Sequence, residues 1–239
     1  ATLPEKGPVP ATRPAKESPS SDNEALPANV ASDKSAPGKD RPLPPPPPPP
    51  LVEEDAAAFR ACTEALRAAG AIIKEEARID PKDGCGIVRP VAVSRLSSDI
   101  EIGPKAILRC ETALQLQRWT REAVVPAINA VMPTKRLVGL EQASAYVCRN
   151  RNGAANGKIS EHAFGNAVDI AAFRFSDGSR LAIAPRDEDG TAEGALQRAA
   201  VASACLYFRT VLDPGSDAAH ESHLHLDVTK RTNGYRYCW

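Results

Sequence analysis

The sequence has no surplus of charge of either sign, because 30 acidic residues balance 30 basic residues in a chain of 239. A protein that binds nucleic acid needs an excess of lysine and arginine to neutralise phosphates, so we expect no nucleic-acid partner. Apolar stretches are also short and do not approach the roughly 18 uninterrupted residues that a membrane-spanning helix requires. We therefore expect no membrane span in this chain.

Methionine is nearly absent, since the only one is Met132 and the chain begins at Ala1. We expect that a secretory signal segment has been removed. The six cysteines are even in number and include no Cys-x-x-Cys pair, the spacing typical of zinc ribbons and redox sites. We predict three disulfides and a periplasmic or secreted location, with the choice among fifteen possible pairings left open. The alternative is six buried thiols in a cytosolic protein.

Proline is concentrated at one end of the chain. Residues 1–50 contain 15 of the 22 prolines, including the run Pro44–Pro50. These residues show no hydrophobic periodicity and bring too few apolar side chains to form a core. We predict that residues 1–51 are a disordered Pro-rich tether and that residues 52–239 form one domain.

The pattern of apolar residues after position 51 predicts an α+β domain, in which a small antiparallel sheet is flanked by helices and stabilised by disulfides. Helices are predicted over residues 53–69, from Pro104 through Ile107 and Trp119 to a bend or end at Pro126, and over residues 192–211. Extended segments are predicted at residues 72–73, 87–93, 100–102, 137–147 and 167–173. We assign Trp119 to the core.

All four histidines fall in two short segments. The first is SEHAFGNAVDIAAF, residues 160–173, which contains His162, and the second is HESHLHLDV, residues 220–228. The second segment alternates like a strand, so His223, His225 and Asp227 are predicted to share one face. The leucines between them would pack on the core.

Asp169 lies within an apolar strand, where an unpaired carboxylate is very costly, so it needs a partner. A catalytic zinc site has three protein ligands drawn from histidine, aspartate or glutamate and keeps a fourth position for water. His162, Asp169 and one histidine of the pair His223 and His225 form such a set. We therefore predict a Zn²⁺ site, with the remaining histidine of the pair available for proton transfer.

Three motifs carry a resemblance to a known family: His-x-x-His-x-His-Leu-Asp at residues 220–227, Ser-x-His-x-x-Gly-x-x-x-Asp at 160–169 and Tyr-Val-Cys-Arg at 146–149. Over roughly residues 55–239 the chain resembles the bacterial extensin-like C-terminal domain family. That family is similar in turn to the zinc peptidases grouped with lysostaphin, D-Ala-D-Ala metallopeptidases and hedgehog. The resemblance implies a zinc-dependent peptidase that hydrolyses amide bonds in peptidoglycan stem peptides or cross-links.

The resemblance also implies roles for particular residues. His162, Asp169 and His225 would bind zinc. His223 would act as acid/base or stabilise the transition state. His220 matches a further active-site histidine of penicillin-insensitive murein endopeptidases, which share the His-x-x-His-x-His spacing.

Two weaker matches come from the dipeptidase branch of the same group. Arg149 resembles the arginine that polarises the scissile carbonyl, and Ser160 resembles a serine that helps bind substrate; their structural alternatives are a surface ion pair and a turn cap. In that branch a glutamate three residues before the zinc histidine is the base. Here that position is Ser222, with Glu221 beside it. The base is therefore either His223 or Glu221, and we favour His223.

Two alternatives to a peptidase remain open. One is a metal-free patch of hydrogen-bonded histidines, and the other is a zinc-containing but non-catalytic module that binds cell wall or a partner protein. His220 and His223 favour an enzyme, because a structural zinc would be closed by a fourth ligand. Asp227 is predicted to orient a ligand histidine, and Gly165 to let the loop cross between ligands. We expect a monomer that acts on peptidoglycan peptides.

Overall fold

The computed structural model describes residues 51, 53–81 and 83–239. They form an α+β unit with a mixed sheet and three disulfides, so the predicted fold class and the use of the cysteines are confirmed. The predicted Pro-rich tether lies, apart from Leu51, outside the described residues. None of the helices in the described part of the chain is long and apolar enough to cross a membrane.

The helical segments are α1 (Ala56–Ala68), α2 (Cys110–Trp119), α3 (Val125–Val131) and α4 (Ala192–Tyr207). Helix α1 begins after Asp55, whose Oδ1 accepts a hydrogen bond from Ala58 N at 2.8 Å. It ends before Gly70, which has a φ of 81°. The prediction of a helix over 53–69 is therefore confirmed to within a few residues.

One sheet holds nine strands of the described residues: β1 (Ile72–Glu75), β2 (Pro90–Ser97), β3 (Ile100–Arg109), β4 (Leu137–Ser144), β5 (Ala167–Phe175), β6 (Arg180–Ala182), β7 (Thr210–Leu212), β8 (Leu224–Asp227) and β9 (Tyr237–Cys238). Their order is β1-β2-β3-β4-β5-β8-β7-β9, with β6 beside β5. The pairs β3–β4 and β7–β9 are parallel. The prediction of a small antiparallel sheet is thus wrong in the number of strands and in the direction of these two strand pairs. Strand β4 is parallel to β3 because the chain crosses over through α2 and α3 between them.

The predicted helix start at Pro104 is also wrong, because residues 104–109 continue β3 and α2 begins at Cys110. Pro104 fits in the strand since the ladder is irregular beside it: the register of β2 shifts between Val93 and Arg95, and the pairing with β4 ends at Gly103. A short apolar run such as 106–108 suits a strand and a helix equally well.

The helix does not end at Pro126. Residues Thr120–Val124 adopt a π-helical turn that joins α2 to α3, and Val125 N donates to Thr120 O, five residues back. Proline has no N–H and clashes with the carbonyl four residues earlier in an α-helix. The wider turn directly before Pro126 lets the helical path continue to Val131.

Helix α4 ends at Tyr207 rather than at the predicted residue 211, and Val211 belongs to β7. Phe208 has an extended backbone, with φ −105° and ψ 162°, and its side chain is fully buried. Arg236 Nη1 donates to the carbonyls of Cys205 and Phe208 at 2.9 and 2.6 Å, which satisfies the last helical turn. The partners of β7 all come later in the chain, so local periodicity does not reveal this strand.

The core lies between the helices and one face of the sheet. Trp119 is fully buried there, as assigned from the sequence, and its Nε1 donates to Ala200 O at 3.1 Å. Its ring lies 6.3 Å from that of Phe173 and 6.4 Å from that of Phe208. This packing covers one face of β5 and leaves the opposite face for other side chains.

The disulfides tie distant parts of the chain together. They join α1 to α2, the loop before β2 to the loop after β4, and α4 to β9, through the pairs Cys62–Cys110, Cys85–Cys148 and Cys205–Cys238.

Candidate metal centre

The candidate centre lies where β5 and β8 run antiparallel. Asp169 of β5 is directly opposite His225 of β8, so both side chains project from the same face of the sheet. Their strand neighbours are fully buried on the core face: Val168, Ile170, Leu224 and Leu226. The predicted alternation therefore holds for β8 itself, and His223 lies directly before that strand.

A short 3₁₀ turn, Glu161–Phe164, positions His162 just before β5. The turn ends at Gly165, which has a φ of 66°, and a Cβ at this position would lie only 2.9 Å from Arg109 N. Gly165 O accepts hydrogen bonds from Arg109 N at 3.0 Å and from Thr112 Oγ1 at 2.8 Å. Glycine is thus required by the backbone here, and its carbonyl fastens the turn to the start of α2.

Three donor atoms converge between the turn and the two strands. His162 Nε2 lies 3.2 Å from His225 Nδ1 and 3.2 Å from Asp169 Oδ2, and Asp169 Oδ1 lies 2.9 Å from His225 Nδ1. Their exposed fractions are 1%, 8% and 2% for His162, His225 and Asp169. The sequence pattern left the second histidine of the set open between His223 and His225, and the resemblance implied His225. The fold brings His162, Asp169 and His225 together across 63 positions of the chain.

The outer nitrogens of the two imidazoles are also engaged. His162 Nδ1 donates to Ala145 O at 2.8 Å, so Nε2 is the ring nitrogen that faces the centre. His225 Nε2 donates a hydrogen bond to Asp227 Oδ2 at 3.4 Å. Asp227 therefore contacts the histidine that it is predicted to orient.

The charges of the centre favour a cation. Burial disfavours a charged His225, but hydrogen bonds to Asp169 and Asp227 outweigh burial and raise the pKa of His225 to about 9. Burial likewise opposes ionisation of Asp169, but its hydrogen bonds with His162 and His225 hold the pKa of Asp169 well below its usual range. In the metal-free protein a proton on His225 thus supplies positive charge beside the carboxylate of Asp169.

The three donors fit zinc. Two imidazole nitrogens and a carboxylate are typical zinc ligands, and donors bound tetrahedrally at about 2.0–2.1 Å lie roughly 3.3 Å apart. The observed separations of 2.9 to 3.2 Å are close to that value. The proton on His225 Nδ1 is the group that a metal ion would replace.

The centre forms the floor of an open cavity of about 530 Å³ that His220 and His223 also line. His223 Nε2 lies 3.6 Å from Asp169 Oδ2, and burial lowers the pKa of His223 despite the attraction of that carboxylate. His220 Nδ1 donates to Asp217 Oδ1 at 2.7 Å. The ring of His220 is 5.2 Å from that of His223, so the two outer histidines stand together above the three donors.

Of the other predicted residues, two line the cavity and one does not. Arg149 and Ser160 both line the cavity, and Ser160 N donates to Arg149 O at 3.0 Å. Glu221 is exposed and is not among the residues that line the cavity, whereas His223 is. The strand alternation that would turn Glu221 toward the metal fails because β8 begins only at Leu224.

Sequence reasoning missed several residues that border the same cavity: Arg151, Thr210, Arg231 and Tyr237. Thr210 and Tyr237 arrive through the pairing of β7 with β8 and β9, which no local pattern indicates. Arg231 follows β8 by four residues in a segment without periodicity.

Asp83, Cys85 and Cys148 form a second group of donor atoms that lie within 4.8 Å of one another. Cys85 and Cys148 are joined as a disulfide, so neither sulfur is a thiolate that could bind a metal ion. This group is therefore not a metal centre in the oxidised protein.

Comparison with known proteins identifies the family. No curated protein and no solved structure matches the chain. A family model described as "Extensin-like protein C-terminus" matches residues 60–239, about three quarters of the chain, and this range contains the whole candidate centre. The chain therefore belongs to the extensin-like protein C-terminus family.

Proposed function

We propose that this protein is a zinc-dependent peptidase that hydrolyses amide bonds in the stem peptides or cross-links of peptidoglycan. The observation that carries the proposal is the convergence of His162, Asp169 and His225 at 2.9–3.2 Å on the floor of an open cavity. Supporting it is the similarity of the extensin-like family to the zinc peptidases grouped with lysostaphin, D-Ala-D-Ala metallopeptidases and hedgehog.

In this proposal His162 Nε2, His225 Nδ1 and the carboxylate of Asp169 hold the metal ion. The hydrogen bonds from the two rings to Ala145 O and Asp227 Oδ2 keep the inner nitrogens directed at it. When bound, Zn²⁺ supplies Lewis acidity toward a substrate carbonyl and lowers the pKa of a water molecule.

His223 and His220 would then transfer protons during the reaction. His223 Nε2 is 3.6 Å from Asp169 Oδ2 and borders the cavity, so it can reach a water molecule or oxyanion beside the ligands. His220 Nδ1 is held by Asp217, so Nε2 is the ring nitrogen that remains for other partners. We propose that His223 takes the proton of the attacking water and that this proton then passes to the leaving amine, either directly from His223 or through Nε2 of His220.

The cavity also suits a peptide that carries carboxylates. Arg149 stands on its wall, where its guanidinium can polarise the scissile carbonyl, and Ser160 lies beside it to bind substrate. Stem peptides of peptidoglycan carry several carboxylates, which arginines bind through charge-assisted hydrogen bonds.

The three disulfides support an oxidising compartment, because disulfides persist in the periplasm and outside the cell and are rare in the cytosol. Peptidoglycan is built in that compartment. We therefore propose a periplasmic or secreted enzyme that acts as a monomer.

Metal analysis combined with product analysis tests the proposal. Wild type, Asp169→Asn, His223→Ala and the control Asp177→Asn are purified without chelator, assayed for zinc and incubated with muropeptides, whose products are separated and weighed by mass spectrometry. Asp177 is an exposed aspartate in the turn after β5 and makes a matched control for the same chemical change. We expect about one zinc per chain in all but Asp169→Asn, and products from wild type and Asp177→Asn.

His223→Ala separates binding from catalysis, since it should keep zinc and lose about 100-fold or more in rate. Zinc without products in wild type would favour the non-catalytic wall-binding module instead. Wild type without zinc would exclude the metal centre.

A further inference from the structure

Arg231 borders the cavity above the candidate metal centre, on the side of β7. Its Nη1 donates to Arg209 O at 2.9 Å, and its Nη2 donates to Thr210 Oγ1 at 2.7 Å. Both acceptors are neutral, so these hydrogen bonds hold the guanidinium in place without balancing its charge. The side chain is half-buried, which limits the screening of that charge by water.

The other arginines of the cavity are held differently. Arg151 Nη2 lies 3.5 Å from Glu161 Oε1, so a carboxylate of the protein already balances its charge. Arg149 Nη1 reaches only the neighbouring carbonyl of Asn150, at 3.5 Å. Arg231 thus combines a fixed guanidinium with hydrogen-bond partners that carry no negative charge.

The donors that remain on Arg231 suit a carboxylate. A guanidinium has five N–H groups in one plane, and two of them are used by Arg209 O and Thr210 Oγ1. The three that remain can form the forked pair of hydrogen bonds that matches the two oxygens of a carboxylate. A carboxylate bound there would be oriented as well as attracted.

The site lies close to the metal ligands. Thr210, which holds Arg231, pairs with Asp227 across β7 and β8, and Asp227 in turn contacts His225. The guanidinium of Arg231 is therefore held by the strand next to the one that carries His225, and both residues line the same cavity.

We propose that Arg231 binds a free carboxylate of the substrate and selects against substrates in which that group is amidated. The assignment of this carboxylate to a peptidoglycan stem peptide rests on the proposed function above. The recognition itself depends only on the guanidinium and the two groups that hold it.

Binding of matched peptides tests this assignment. The probes are the stem peptide L-Ala-D-isoGlu-meso-diaminopimelate-D-Ala-D-Ala and versions of it in which one carboxylate is replaced by its amide. Calorimetry on the zinc-loaded protein should show one amidation that weakens binding to wild type about tenfold or more, as expected for loss of hydrogen bonds to a charged group. In Arg231→Gln the affinities for the acid peptide and for that amide should differ by no more than about twofold.

Two control variants make the comparison specific. Arg180→Gln removes an exposed arginine on β6, outside the cavity, and should keep the wild-type ratio. Arg231→Lys keeps the charge without the fork and should retain part of the ratio. An unchanged ratio in a folded Arg231→Gln, or equal binding of every probe to wild type, would overturn the proposal.

NMR spectroscopy of the wild-type protein tests whether Arg231 binds the carboxylate even if Arg231→Gln does not fold. The Nε–H resonance of Arg231 should move on addition of the acid peptide and stay in place with the discriminating amide, and no movement with either would refute the assignment. Cleavage without discrimination would refute the carboxylate site alone. Discriminating binding without cleavage in any sample would refute the peptidase and leave the carboxylate site standing.

Discussion

Asp169 and His225 lie directly opposite each other on β5 and β8, and Asp169 Oδ1 is 2.9 Å from His225 Nδ1. Fifty-six positions separate the two residues in the sequence, so the register of the strand pair is what sets their distance. Side chains on paired strands are held more tightly than those on loops. We therefore expect this pair to persist in the metal-free protein.

The first prediction concerns pH and the metal-free protein. The pKa of His225 is about 9 in the folded state against an ordinary value of 6.5. The stability that its proton contributes is therefore complete below about pH 6.5 and is lost as the pH rises through 9. Calorimetry in the presence of chelator should show a Tm that falls between pH 6.5 and 9, with a smaller fall in His225→Gln.

Zinc binding should depend on pH in the opposite sense. The ion needs the deprotonated Nδ1 of His225, so below pH 9 its binding releases a proton, and affinity should rise about tenfold per pH unit. Competition with a metal-binding dye across pH 6.5–8.5 measures this slope. An affinity that does not vary over that range would contradict the raised pKa.

The third prediction concerns Asp227. Asp227→Asn removes the negative charge that His225 Nε2–H faces at 3.4 Å, while keeping the size of the side chain. Zinc affinity should fall about 10-fold to 100-fold without loss of fold, as is typical when the partner of a metal-binding histidine is changed. Chelator competition gives the affinity, and Asp177→Asn serves as the exposed control. Unchanged affinity would exclude an orienting role for Asp227.

Alanine substitutions at two glycines distinguish the energetic cost of backbone strain from that of steric overlap. Gly165 and Gly178 both have positive φ, 66° and 82°, but a Cβ would meet Arg109 N at 2.9 Å from Gly165 and nothing within 4 Å from Gly178. Gly178→Ala should cost about 1–2 kcal/mol of unfolding free energy from the φ alone. Gly165→Ala should cost at least about 1 kcal/mol more and weaken zinc binding, because its turn carries His162. Equal losses in urea unfolding would contradict the overlap.

The fifth prediction concerns the bridge between α4 and β9. Replacing Cys205 and Cys238 together by serine removes a link that closes a loop of 33 positions. The unfolding free energy should fall by about 2–4 kcal/mol, because the unfolded chain is no longer constrained. Urea unfolding of the two oxidised proteins measures the difference. A loss below about 1 kcal/mol would mean that Arg236 and the pairing of β9 with β7 suffice to hold the strand.

The sequence was most informative where the relevant signal is local. The alternation of His223 and His225 and the spacing of His162 and Asp169 each lie within a single segment, so these four residues could be grouped from the sequence. The choice of His225 over His223 came from the resemblance, and His162, Asp169 and His225 do converge in the structure. Helix α1 was likewise predictable from local signals, since Asp55 caps its start and Phe59 and Leu66 recur on one buried face.

The features that escaped prediction depend on distant partners. The end of α4 is fixed by Arg236, which lies 31 positions after Cys205. The strand character of residues 106–109 is fixed by pairing with β2. The place of Arg231 on the cavity depends on β7, which is short and has no alternating pattern of its own. Cysteine pairing is equally non-local and could not be chosen among fifteen arrangements.

The Cys85–Cys148 bridge has a consequence for the timing of activity. Gly86 N donates to Ala163 O at 2.8 Å, beside His162, and Arg149 O accepts from Ser160 N at 3.0 Å. The bridge thus joins the two stretches of chain that are hydrogen-bonded to residues beside His162. A newly made chain with reduced cysteines lacks this bridge, so its centre should mature only after oxidation. Under the proposed function, the protein would be inactive during synthesis and would gain activity only in an oxidising compartment.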